Sequence, residues 1–165
     1  MSSGAGARPA WHVSDWGPLG WLETALKACG IGVGIAALIT ASGRAAEGPG
    51  GARLAEMIVL GLLCLGLLAA IADRYADREI VGMVFILGMN VGHIAMLIAL
   101  ARDADVGGFL VAFALLMLAG DLVKLVFLAT TGFTVRAVPR AAVYGLVGVY
   151  VVGYAALIVI ELVAR

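Results

Sequence analysis

Residues 80–131 read IVGMVFILGMNVGHIAMLIALARDADVGGFLVAFALLMLAGDLVKLVFLATT. Two apolar runs, 80–101 and 106–131, are separated only by Arg102-Asp103-Ala104-Asp105. About 20 helical residues cross the hydrocarbon of a bilayer, and each run reaches that length. The apolar residues are continuous rather than alternating, which selects helices over strands of a barrel. A helix also satisfies its own backbone where no water is present. The sequence therefore predicts two membrane-spanning helices joined by a tight turn.

The same reading extends outward. Further apolar runs cover about 19–41, 54–72 and 141–163, so the expected fold is an all-α integral membrane protein, a bundle of about five transmembrane helices with short loops. The first run is the weakest: Glu23 and Lys27 lie in its opening turns, and Gly30, Gly32 and Gly34 dilute it. A four-span rival would lay residues 11–27 along the interface. The connections suit five spans: a Gly/Pro loop at 43–53, a short charged DRYADRE at 73–79 that places its two helices antiparallel, and residues 131–140 before the last run. The expected organisation is a polar tail over 1–18 and a single transmembrane domain over 19–165.

Composition agrees. Of 165 residues, 63% are hydrophobic and only 13% charged, with a mean hydropathy of +1.08. Soluble domains carry about a quarter charged residues to cover their surface. A formal net charge of zero offers no basic face for nucleic acid. Cys29 and Cys64 both fall inside apolar runs and form no disulfide framework or metal motif. The start has no basic segment leading into an apolar core, so no cleaved signal is expected, and neither end carries a lipidation motif.

Five spans put the termini on opposite faces. The amino-terminal face would receive Arg8, Arg74, Arg78, Arg136 and Arg140, against Arg44, Arg53, Arg102 and Arg165 opposite. Trp11, Trp16, Trp21, Tyr75, Phe133 and Tyr144 also gather towards the first face, as an interfacial belt does. These features lean towards a cytoplasmic amino terminus, in a plasma membrane of the bacterial inner-membrane kind.

Ionisable groups inside hydrocarbon cost about 2.5–3.5 kcal/mol each on insertion scales, so they mark candidate sites. Here they are Glu23, Lys27, His93, Asp121 and Lys124, with Asn90 as a neutral companion. At about 1.5 Å of rise per residue, Lys27 and Asp121 both lie about 4 Å to the first-face side of the midplane. By the same rise Glu23 lies about 10 Å and Lys124 about 8 Å from it. Lys27 should therefore meet Asp121, and Glu23 should meet Lys124. The structural reading is a buried network pinning the first span to the fourth, favoured because four charges sum to zero. The functional reading is an ion or proton site in which Asp121 or Glu23 titrates. Outward snorkelling of the lysines would weaken both.

Asn90 and His93 share a helix face near the midplane. They read either as interhelical hydrogen-bond formers or, for His93, as a haem or metal ligand or a relay to Asp121. Gly30/Gly34 and Gly88/Gly92 are small-residue steps that permit close helix packing. With Ala95, Ala99 and the glycines of the last run they suggest contact between copies. Tyr150 and Tyr154 lie deep enough to need partners, whereas Glu161 is expected in the far headgroup region. No catalytic motif is present, and no transition-metal spacing.

Three functions stay open: a small transport or channel protein acting as an oligomer or as a membrane subunit of a larger complex; a structural or assembly subunit without substrate; and a redox subunit using His93 as a haem ligand or quinone contact. The cofactor is unknown. The expected partners are the lipid bilayer and copies of the chain or other membrane subunits, not nucleic acid.

Opposite placement of the termini is testable. With Cys29 and Cys64 replaced by alanine, Ser3→Cys and Arg165→Cys should each be modified by an impermeant thiol reagent from one side only, and from opposite sides. Labelling of both from the same side would eliminate the five-span topology.

Overall fold

The computed structural model describes residues 17–41, 50–76, 80–102, 104–131 and 139–164. Five long helices account for nearly all of them: α1 (Pro18–Thr40), α2 (Gly51–Ala76), α3 (Ile80–Arg102), α4 (Gly107–Thr131) and α5 (Arg140–Ala164). All five are long and apolar enough to cross a membrane. The first is one continuous 23-residue helix despite its glycines, opened by Pro18, whose fixed φ and missing N–H suit a first helical turn.

Most boundaries fall within a residue of the sequence reading, with one larger difference. The second helix begins at Gly51, three residues before the expected 54, and runs on to Ala76. Gly51–Arg53 thus belong to a helix rather than to the Gly/Pro loop, and Asp73–Ala76 continue it rather than turn.

The helices close into a ring by their principal contacts: α1 packs on α3 and α4, α2 on α3 and α5, and α4 on α5. Although α3 and α4 follow one another through the 3₁₀ turn Ala104–Val106, α1 sits between them. Each helix sends at least one fully enclosed side chain into a shared core: Ala37, Leu60, Met96, Phe113 and Leu157 are all 0% exposed.

The polarity of this bundle is inverted relative to a soluble protein. Apolar side chains such as Ile39, Ile80 and Val152 point outward, while Glu23, Lys27, Glu56, His93, Asp121, Lys124 and Glu161 are buried. Only a hydrocarbon solvent rewards that arrangement. The chain is an integral membrane protein.

Glycine sets the closest approach. A Cβ on Gly34 would overlap the backbone carbonyl of Gly92 on α3, and a Cβ on Gly92 would stand 2.9 Å from the Cα of Ile31 on α1. The two small-residue steps therefore mesh with each other inside one chain. Gly30 meets Met117 of α4 instead, and Ala95 and Ala99 are buried in the same interior. The stripe that suggested contact between copies is used within the bundle. On α5, Gly153 packs against Leu63 of α2, while Gly145 and Gly148 have nothing of the described chain near them.

Helix ends are also closed. Thr130 and Thr131 return their hydroxyls to the carbonyls of Val126 and Phe127 at 2.8 and 2.7 Å. Arg140 at the start of α5 donates to the carbonyl of Leu128 at 2.7 Å, placing a cation against the last turns of α4.

Gly34→Ala should destabilise the protein by about 1–3 kcal/mol, since the added methyl overpacks a backbone contact. Gly32→Ala, facing open space, should be neutral or mildly stabilising. Thermal unfolding in one detergent compares them, and equal midpoints would refute close α1–α3 packing.

Candidate functional site

The spacing Glu23/Lys27 puts a carboxylate and an ammonium one turn apart on α1; Asp121/Lys124 does the same on α4. Because the two helices pair antiparallel, each positive group lies level with a negative one. Lys27 Nζ lies 2.7 Å from Asp121 Oδ1 and 2.8 Å from Glu23 Oε1. Lys124 Nζ lies 3.2 Å from the second Glu23 oxygen, Oε2. The result is one chain of alternating charge, Asp121–Lys27–Glu23–Lys124, that crosses the helix interface twice.

Two features make room for it. A Cβ on Gly120 would come within 2.8 Å of Lys27 Cγ, so the bare backbone of α4 is what lets the lysine stem lie across it. Lys124 also stands 5.1 Å from the ring centre of Phe127, within cation–π range. The four side chains are only 7–10% exposed. Both lysines therefore turn inward to their partners and do not snorkel. Such pairs are costly to bury but far costlier to break, because removing one member leaves its partner charged and dry.

His93 sits at the centre of the ring, 0% exposed. Its Nδ1 lies 2.7 Å from the Met89 carbonyl, one turn back on α3, and its Nε2 lies 2.7 Å from the Tyr154 hydroxyl on α5. A carbonyl only accepts, so Nδ1 carries the proton and the neutral ring receives the Tyr154 O–H at Nε2. Phe113 of α4 meets the imidazole edge-on at 4.9 Å. Both ring nitrogens are thus engaged, by a backbone carbonyl and a tyrosine, rather than by Asp121. Asn90 is brought to the same depth, 2% exposed, and its Oδ1 has no hydrogen-bond partner. Tyr150 donates to the Leu63 carbonyl of α2 at 2.9 Å, over the position where Gly66 lacks a side chain.

A second polar cluster escaped the sequence reading. Glu56 of α2 is 1% exposed, and its Oε2 accepts from Arg53 at 3.1 Å. Glu161 of α5 is 7% exposed and presses its carboxylate onto Gly107 at the start of α4. At its end of the bundle the side chain faces inward, against the start of α4. The signal was present, since Glu56 and Glu161 both lie within six residues of helix ends on the same membrane face. Nearness to the end of the chain concealed it.

The energetic role of the α1–α4 chain can be measured. Lys27→Met and Asp121→Leu alone should each cost about 3–5 kcal/mol, since each strands a buried charge. Together they leave Glu23 paired with Lys124 and should recover most of that loss. Unfolding midpoints of the four proteins report it; simple addition of the two penalties would show that the residues do not act as a pair.

No family model, curated protein or solved structure matches the chain.

Proposed function

We propose that this small polytopic membrane protein transports protons or small cations through the interior of its helix ring, with Asp121 as the carboxylate that carries the charge. The observation supporting this reading is the distribution of polar side chains inside the bundle. The Glu23–Lys27–Asp121–Lys124 chain occupies the first-face side. Asn90, His93 and Tyr154 stand near the middle, and Glu56 with Glu161 towards the far end. Intramembrane ionisable groups facing a bundle interior are the usual components of proton and ion pathways.

The interior is filled, which favours a relay or gated carrier over a standing pore. From Tyr154 to Glu161 the α5 helix advances seven residues, about 10 Å, and that interval is packed with Leu60, Leu110 and Leu157, each 0% exposed. Passage would require these side chains to part or water to enter. Action as an oligomer or as a subunit of a larger complex belongs to the same proposal.

A second reading, a structural or assembly subunit, is favoured by one observation: the four charges of the α1–α4 chain sum to zero and are paired among themselves. The haem or quinone reading draws less support, because both His93 nitrogens already have partners.

Reconstitution into liposomes with a trapped pH indicator separates the first two. An imposed pH gradient should dissipate faster with protein than without, and Asp121→Asn should remove most of that rate in protein that still folds. Wild-type protein that leaves the gradient intact, with sodium and potassium flux also at the background level, would favour the structural reading.

A further inference from the structure

Asn90 on α3 is 2% exposed, and its Oδ1 is buried with no hydrogen-bond partner among the described residues. A carboxamide oxygen taken out of water without a donor is costly, and folded proteins satisfy nearly all such groups. The side-chain donors at this depth are committed elsewhere. One turn along the same face, His93 directs its Nδ1–H to the Met89 carbonyl. Tyr154 gives its only proton to His93 Nε2, and Tyr150 gives its own to the Leu63 carbonyl.

The packing of α1 on α3 fixes what lies beside Asn90. A Cβ on Gly88 would stand 3.7 Å from Ile31 Cδ1, and one on Gly92 would stand 2.9 Å from Ile31 Cα. Asn90 lies between those two glycines, so it is level with Ile31 and one turn above Lys27 on α1. Lys27 Nζ meets Glu23 Oε1 and Asp121 Oδ1, which uses two of its three N–H groups. The Tyr154 oxygen, having donated to His93, keeps lone pairs that can accept. The charge chain on one side and the His93–Tyr154 bond on the other thus leave two acceptors, Asn90 Oδ1 and the Tyr154 oxygen, and one donor, the third N–H of Lys27. A molecule that donates two hydrogen bonds and accepts one matches that set.

We infer that Asn90 is the binding site of one internal water molecule at mid-membrane depth. The water donates to Asn90 Oδ1 and to the Tyr154 oxygen and accepts from Lys27. About three hydrogen bonds is the usual complement of a buried water. Being neutral, it leaves the charge balance of the α1–α4 chain as it is. The site follows from burial and hydrogen-bonding capacity and stands whether or not the chain transports ions.

Asn90 is the only asparagine of the chain, which has no glutamine, so ¹³C,¹⁵N-asparagine labels a single side-chain carboxamide. Solid-state NMR of the full-length protein in lipid bilayers should show magnetisation passing from water protons to that carboxamide at short mixing times. Isotope-edited infrared spectra should place its C=O stretch at the hydrogen-bonded position. The wild-type minus Asn90→Leu difference spectrum should contain a water O–H stretch that moves when H₂¹⁸O replaces ordinary water, a shift no protein group can produce. A C=O stretch at the free position would overturn the proposal. So would a bonded carboxamide that receives no magnetisation from water, since its donor would then be a protein group. If Asn90→Leu fails to fold, the two wild-type measurements still decide.

Discussion

A charge inside hydrocarbon has to find its counter-charge within the protein, and most of this bundle can be derived from that constraint. Lys27 is the clearest case. Its ammonium meets Asp121 across the interface and Glu23 along its own helix, which fixes both which helix α1 adopts as a neighbour and the height at which the two align. A slip of one turn would separate both interhelical pairs at once. Packing then follows: the stem of Lys27 needs Gly120 bare, and Lys124 needs the second oxygen of Glu23. Van der Waals contact alone specifies such a register poorly between apolar helices, because lipid is as good a neighbour as leucine.

The opposite wall of α1 is governed by proximity rather than charge. Gly34 lies on the Gly92 carbonyl and Gly92 on the Ile31 backbone, so α1 is clamped by ions on one side and by bare backbone on the other. That double attachment explains why α1, the least hydrophobic of the five spans, stands between α3 and α4 instead of at the periphery. Its glycines look like a weakness in isolation and are its means of packing in context.

Much of this was legible in the residues. Run length defined five spans, and helical rise placed Lys27 level with Asp121 and Glu23 level with Lys124 before any coordinates. Depth arithmetic works here because the membrane supplies a common ruler for every helix. What the ruler does not supply is direction around each helix axis. Gly88 and Gly92 were recognisable as a contact step, yet nothing local said that the partner was α1 of the same chain rather than a second copy. The bond from Tyr150 to the Leu63 carbonyl depends on a gap above Gly66, 84 residues away in sequence, and such a match appears only once the ring has closed. For Glu161, distance from the end of α5 says how near the headgroups it is and nothing about which way it turns, which is inward onto Gly107.

The pairing within α1 has a consequence for how the chain enters the membrane. Spans are inserted roughly in the order of synthesis, so α1 meets lipid long before α4 exists. Glu23 and Lys27 are bonded to each other one turn apart, which lets the segment carry its two charges into the bilayer as a neutral pair instead of two separate ions. When α4 arrives, Asp121 and Lys124 find a dipolar partner already in place, and the intact intrahelical pair becomes the middle of the four-membered chain. The weakest span can thus be the first to be laid down and the template on which a later one aligns.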